Sequence, residues 1–211
     1  MYLSMILTNK YFITLLLAFS LSPLVASADE LADLPSGKYN LELSHASIIW
    51  KVNHMGLSTY VGRFTDFSSE LMLDTQNISK SSVAVEINTN SIATAYPWVE
   101  EEDFDKKLSE KWFKSKEFPF IKFISKSVEK TATNKLSING DLTMLGITTP
   151  ISLDATLNNA IASHFISKKP VIGFSASTTI DRTLWGVSKY APNIVGAEVK
   201  IEIEGEFEYE D

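Results

Sequence analysis

Residues 197–210 read AEVKIEIEGEFEYE. The odd positions hold Ala197, Val199, Ile201, Ile203, Gly205, Phe207 and Tyr209. Of the seven even positions, six are acidic and the other is Lys200. A period of two this regular is a β-strand with one wet face and one dry face. The fold depends on whether other segments repeat the pattern. The function depends on what the dry face touches, either the side chains of a filled core or a ligand in a cavity.

The pattern recurs along the chain. YNLEL (39–43) is a short strand, and SIIWKVNH (47–54) places Ile48, Trp50, Val52 and His54 on one face. YVGRFTDFSSELMLD (60–74) carries Phe67, Leu71 and Leu73 in step, with Gly62 permitting a bend or a close approach. SVAVEINTNSI (82–92) alternates through Val83, Val85 and Ile87, and FPFIKFISKSVEK (118–130) through Ile121 and Phe123. KLSINGDLTM (135–144) offers Leu136, Ile138, Leu142 and Met144; ITTPISLDATL (147–157) offers Ile151, Leu153, Ala155 and Leu157; VIGFSASTTID (171–181) offers Ile172, Phe174, Ala176 and Ile180. With the opening stretch this makes about eight or nine strands joined by short polar turns, which is an all-β antiparallel barrel or sandwich. No repeat, low-complexity tract or linker divides residues 29–211, which read as one domain.

One segment departs from the period of two. Residues 96–118, YPWVEEEDFDKKLSEKWFKSKEF, are charged and place Phe104, Leu108 and Trp112 four residues apart, on one face of a helix. Such a helix either covers the sheet or closes a barrel mouth.

Composition sets the setting. Residues 1–28 hold a single charge, Lys10, followed by the apolar run YFITLLLAFSLSPLVA (11–26). Ala26 and Ala28 meet the small-x-small requirement of signal peptidase, so cleavage is expected after Ala28 and the expected compartment is the periplasm. A retained membrane anchor is the other reading, but the apolar run is short for a span. Loss of residues 1–28 removes only Lys10, so 19 basic residues become 18 against 26 acidic ones and the formal charge moves from −7 to −8. An acidic chain is a poor partner for nucleic acid. With no Cys, lipid anchoring through a lipoprotein cysteine is excluded, and stability has to come from packing rather than disulfides.

Catalytic chemistry is hard to find. His45, His54 and His164 form no H-x-H or H-x-x-x-H pair, and no thiol can join them on a metal. No G-x-S-x-G elbow, P-loop or G-x-G-x-x-G run is present. EEEDFD (100–105) suits a solvated helix N-terminus better than a cation site. Glu202, Glu204 and Glu206 lie on the wet face, where nothing raises a carboxyl pKa for acid–base work; they serve solubility and edge protection. The residues therefore point to a non-enzymatic protein with bulky apolar side chains turned inward. A small barrel of this kind either fills itself or keeps an elongated pocket for an apolar ligand.

Several stretches together resemble the YceI-like family: WKVNHMGLSTYVGRFTDFSSEL (50–71), LSEKWFKSKEFPFIKFIS (108–125), INGDLTMLGITTPISLDATL (138–157) and FSASTTIDRTLWGV (174–187), with the closing strand after them. The likeness runs in order over residues 37–208. Two positions depart from the family's pattern, with Lys107 where a His is common and Leu145 where His or Arg often precedes Gly146. The resemblance implies an extended, eight-stranded, lipocalin-like antiparallel barrel with one helical segment. It also implies a long apolar tunnel for a polyisoprenoid, such as an isoprenoid quinone or a polyprenyl phosphate, and no other cofactor.

The ligand-facing residues implied are Trp50, Val52 and His54; Phe67 and Leu71; Val85 and Ile87; Phe104 and Leu108 on the helical segment; Phe123, Leu142 and Phe174; Arg182 and Trp185; and Val199, Ile201 and Ile203. Each also has a plainer reading. His54 can be a core histidine bonded to its neighbours, Arg182 a surface ion pair beside Asp181, and Trp185 a packing residue at one end of the barrel. Gly140 and Gly146 read as bulge or turn positions. Two other functions stay open. One is a filled barrel that binds an envelope protein through Trp98, Trp112 and Phe113. The other is an enzyme with His54 as base. A homodimer through a β edge or the helix is compatible with either.

Overall fold

The computed structural model describes residue 31 and residues 33–210. The leader read in residues 1–28 lies outside them. Ten strands follow in order: β1 (Gly37–His54), β2 (Ser58–Phe64), β3 (Phe67–Leu73), β4 (Ser82–Asn88), β5 (Ile92–Ala93), β6 (Phe120–Ala132), β7 (Lys135–Met144), β8 (Ile147–Ile161), β9 (Val171–Asp181) and β10 (Val195–Tyr209). All neighbours are antiparallel, and β10 pairs with β1 to close the sheet on itself. β1 pairs with β3 along its first half and with β2 along its second, so β2 and β3 are two lengths of one barrel stave. The two-residue β5 continues the stave of β4 by pairing with β2. The result is a closed eight-stranded barrel. Closure removes the sheet edge, so the carboxylates of β10 are not edge protection. Glu202 instead pairs with Lys51 at 2.6 Å and Lys200 at 2.9 Å.

Two strand boundaries differ from the expected ones. The stretches 39–43 and 47–54 belong to a single strand, interrupted where Glu42 pairs with Glu206 but Ser47 with Glu204. Four residues of β1 therefore bulge opposite Gly205. The Glu42 carboxylate holds the bulge by accepting from Ser44 N at 3.0 Å, Ser44 Oγ at 2.6 Å and His45 N at 3.1 Å. The two Ser44 bonds foremost, and then the His45 ring beside the carboxylate, lower the Glu42 pKa to about 2. The stretch 60–74 is instead split at residues 65–66, where Thr65 bonds to Ser91. The β7–β8 hairpin turns on Leu145 (φ 52°) and Gly146 (φ 76°), both left-handed, as a two-residue turn between twisted strands requires.

The helical segment is shorter than 96–118. One turn of helix, α1 (Phe104–Lys107), is capped by the Asp103 side chain, which accepts from Lys106 N at 2.9 Å. It widens into a π turn over Leu108–Trp112, closed by Phe113 N donating to Leu108 O at 3.0 Å, and Lys114 (φ 48°) ends it. The acidic run is spent locally. Asp105 accepts from Thr94 N and Oγ1, and Glu102 pairs with Lys107.

These elements cover one end of the barrel, where β1 ends and β10 begins. A helical turn at Arg182–Trp185 and residues 186–194 cover the same end. The opposite end is filled by Leu31, Leu34, Tyr39, Leu73, Ile172 and Phe207. Tyr39 is fully buried there, its hydroxyl donating to Pro35 O at 2.8 Å, and burial pushes its pKa up to about 12. No helix among the described residues is long and apolar enough to cross a membrane.

Candidate ligand cavity

Cross-strand register puts the dry face of β10 inside the barrel. Ile203, Ile201 and Val199 lie opposite Ile48, Trp50 and Val52 of β1, which in turn lie opposite Phe64, Gly62 and Tyr60 of β2. Directly paired residues share a face, so these three rows form one inner wall. Two apolar cavities run along it. The first, about 160 Å³, lies toward the α1 end, and the second, about 100 Å³, lies toward the Tyr39 end. Both are lined in part by Ile48, Val85, Leu153 and Ile203. Those four side chains form a constriction between two lengths of one axial space. A larger groove of about 450 Å³ lies on the outside near His45, His164 and Glu206, but it is open and of mixed polar and apolar lining. Among the described residues no cluster of three or more His, Asp or Glu is placed to hold a metal ion.

Most of the expected residues reach this space. Trp50, Val52, Val85, Ile87, Leu108, Phe123, Leu142, Arg182, Val199, Ile201 and Ile203 line the first cavity. Phe67, Leu71 and Phe174 line the second, together with Val85 and Ile203. Three do not line either. His54 is the last residue of β1, past a register shift that sets it opposite Val195 at the barrel rim. Phe104 stands one turn before the π segment and packs between Tyr60 (6.1 Å, perpendicular) and Tyr96 (5.2 Å) instead. Trp185 is 1% exposed, and its indole donates to Leu142 O at 3.0 Å, which makes it a packing residue of the barrel end.

Two aromatics were assigned elsewhere by sequence. The π turn brings Trp112 and Phe113, adjacent in sequence, both to the first cavity, and Phe113 seats edge-on against Phe64 at 6.0 Å. Widened turns of this kind recur at functional sites. The spacing Leu108–Trp112 carried the signal for Trp112; nothing in the period marks Phe113. Of the aromatics read as a partner surface, only Trp98 stands clear of the barrel, at 58% exposure.

Arg182 is the charged residue among those lining the first cavity. It is buried, not a surface ion pair. Nε donates to Gly196 O at 2.9 Å, Nη1 to Val187 O, and Nη2 to Lys189 O at 3.2 Å and Val195 O at 2.9 Å. The guanidinium also sits 5.8 Å from the Trp112 ring. Arg182 thus clamps residues 187–196 over the barrel end. Burial lowers its pKa, opposed by the neighbouring Asp181 carboxylate, which is itself taken up by Thr183 N and Oγ1.

A profile of the YceI-like domain matches residues 39–207. A Pseudomonas putida protein known as UPF0312 protein is 30% identical over 169 residues, covering 80% of this chain and 84% of its own length. The crystal structure of a Campylobacter jejuni YceI protein superposes with a TM-score of 0.66 at 25% identity, over 75% of this chain and 90% of that one. A polyisoprenoid binding domain from Saccharophagus degradans, implicated in plant cell wall breakdown, superposes with a TM-score of 0.59 at 11% identity, over 82% of this chain and 98% of that one. At that identity the likeness is one of fold.

Proposed function

The chain belongs to the YceI-like domain family, and from that premise we propose that it binds an isoprenoid lipid in the barrel and carries or stores it without catalysis. The observation that carries this reading is the pair of apolar cavities set end to end along the barrel axis. A ligand there has to be long, narrow and apolar, because the wall offers carbon along its length. An isoprenoid quinone or a polyprenyl phosphate has that shape. The polyisoprenoid-binding domain of like fold supports the same ligand class. The leader expected in residues 1–28 supports a periplasmic setting, where such a lipid needs shelter from water between membranes.

The two cavities together fall just under the range usual for ligand pockets, about 300–1,000 Å³. A polyprenyl chain therefore seats by turning aside the side chains of the constriction, Val85 and Ile203 among them. Val85→Trp fills that point from a position already facing inward. The expected result is a folded barrel, judged by circular dichroism and cooperative urea unfolding, whose uptake of an isoprenoid quinone falls at least tenfold. Undiminished uptake by the folded variant would instead favour a filled barrel that works through an outside partner.

A further inference from the structure

We propose that the loop between β8 and β9 docks the protein on an anionic phospholipid bilayer, with Phe165 and Ile166 entering the interface and Lys168 and Lys169 meeting the lipid phosphates. This goes beyond the lipid-binding reading above and does not rest on it, since the loop stands at the plugged end of the barrel and lines neither cavity.

The last cross-strand pair of this hairpin is Ile161 with Val171. β10 stops beside it, where Tyr209 N donates to Pro170 O at 3.0 Å. Residues 162–170 therefore run past the end of the barrel wall. Their tip is a built turn. His164 N donates to Lys169 O and Lys168 N to His164 O, each at 2.9 Å, and Lys168 is left-handed (φ 64°). Phe165 and Ile166 stand at its crown, 75% and 71% exposed. Two adjacent bulky apolar side chains held clear of the core leave area that water disfavours. A projecting crown is buried on all sides by a fluid interface, whereas a protein would have to offer a matching pocket.

Charge decides what kind of interface this is. Residues 155–180 contain no Asp or Glu, in a chain with 26 acidic residues, while Lys168 and Lys169 follow the apolar pair after a single Ser. Lys168 Nζ donates to Phe165 O at 2.6 Å, which sets the ammonium at the base of the crown and leaves two of its N–H groups for a phosphate. Lys169 Nζ lies 3.6 Å from Glu208, a surface pair weak enough for a phosphate to displace. Apolar insertion beside cations is the two-part signal of reversible attachment to an anionic membrane. The other exposed apolar loops lack it. Trp98 and Val99 are followed by Glu100, Glu101, Glu102 and Asp103, which such a surface repels. Met55 and Leu57 flank Gly56 with no Lys or Arg among residues 53–59. Docking through residues 162–170 sets the Tyr39 end toward the bilayer and the α1 end away from it.

Co-sedimentation with vesicles tests this on the protein made with its own leader. Vesicles of phosphatidylglycerol and phosphatidylcholine in equal parts should bind it at low salt, and pure phosphatidylcholine about tenfold more weakly or less. The Phe165→Ser, Ile166→Ser double variant and the Lys168→Gln, Lys169→Gln double variant should each lose about tenfold or more on the anionic vesicles, since one lysine near such a surface is worth about fivefold. Both keep the wild-type Tm, because the changed side chains are on an exposed loop. Trp98→Ser, Val99→Ser should bind as wild type does. So should Val85→Trp, which fills the cavity and so separates docking from lipid uptake. Equal binding to the two kinds of vesicle, undiminished binding by either loop variant, or loss of binding in the Trp98 or Val85 variants would each overturn the docking. A wild-type protein that stays in solution beside anionic vesicles overturns it too and leaves the cavity reading untouched. In that case a dimer on size-exclusion chromatography that is lost in Phe165→Ser, Ile166→Ser assigns the crown to a second copy instead.

Discussion

Trp50 lies flat on Gly62, its cross-strand partner. A Cβ at Gly62 would stand 2.1 Å from Trp50 Cζ2 and 2.5 Å from Cε2, far inside any real contact. Glycine is required here by the ring above it, since its backbone is ordinary strand. Gly62→Ala should therefore cost about 1–3 kcal/mol by forcing the indole off its seat. In a Trp50→Val background most of that cost should vanish, because the obstructed group is gone. Urea unfolding of the four proteins of the cycle measures both numbers, and an equal penalty in the two backgrounds would refute the account. Sequence marked Gly62 as a place of close approach without saying what approaches; that needs the β1–β2 register. Arg182 was harder to read. Its partners are carbonyls of residues 187–196, a loop with no period, so neither a surface ion pair nor a simple head-group cation describes a side chain that first of all clamps that loop.

At the scale of elements, the strands were the legible part. Nearly every inward residue named from alternation in β3, β4, β6, β7, β9 and β10 faces one of the two cavities, because a period of two has no other satisfactory burial. Interruptions were not legible. The bulge in β1 rests on one carboxylate reaching back to Ser44 and His45, and the shortening of the helix rests on a π turn and on Lys114 in a left-handed conformation. These are local backbone choices that hydrophobic spacing does not record. His54 and Phe104 were misplaced for the same reason, one by a register shift at the end of β1 and the other by the change of pitch at Leu108.

The bulge makes its own prediction. Glu42 has a folded pKa of about 2 against an ordinary 4.5. A lowered carboxyl pKa gives stability that is complete above the unfolded value and is lost as pH falls from about 4.5 through 2. The side chain is 38% exposed, so solvent screening holds the contribution to about 1 kcal/mol or less. Wild type should then exceed Glu42→Gln in Tm at neutral pH, and the gap should close on acidification across that window. A gap that is constant down to pH 2 would mean that the carboxylate does not hold the bulge.

For the whole molecule, closure is the decisive feature. Pairing of β10 with β1 turns a row of alternating strands into a tube, and the two ends are then treated differently. Leu31, Leu34, Tyr39 and Phe207 plug one end, while α1, the π turn and the Arg182-clamped segment cover the other. Alternation alone left barrel and sandwich open, since both bury every second residue. It also left open whether the inner face is filled, because a cavity is a difference of side-chain volumes across eight staves that no single strand reports. The likeness to the YceI-like family pointed to the tunnel, and the geometry supplies its two chambers and the constriction at Ile48, Val85, Leu153 and Ile203.

The central claim is that the barrel holds an isoprenoid lipid. Native mass spectrometry of the protein, made with its own leader and purified without detergent, tests it most directly when paired with solvent extraction of whatever is bound. The account predicts an adduct whose extracted mass and fragmentation identify a polyprenyl chain with an oxygen-bearing head, and its loss in Val85→Trp. A protein that emerges empty and also stays empty after incubation with isoprenoid quinone and polyprenyl phosphate would contradict it.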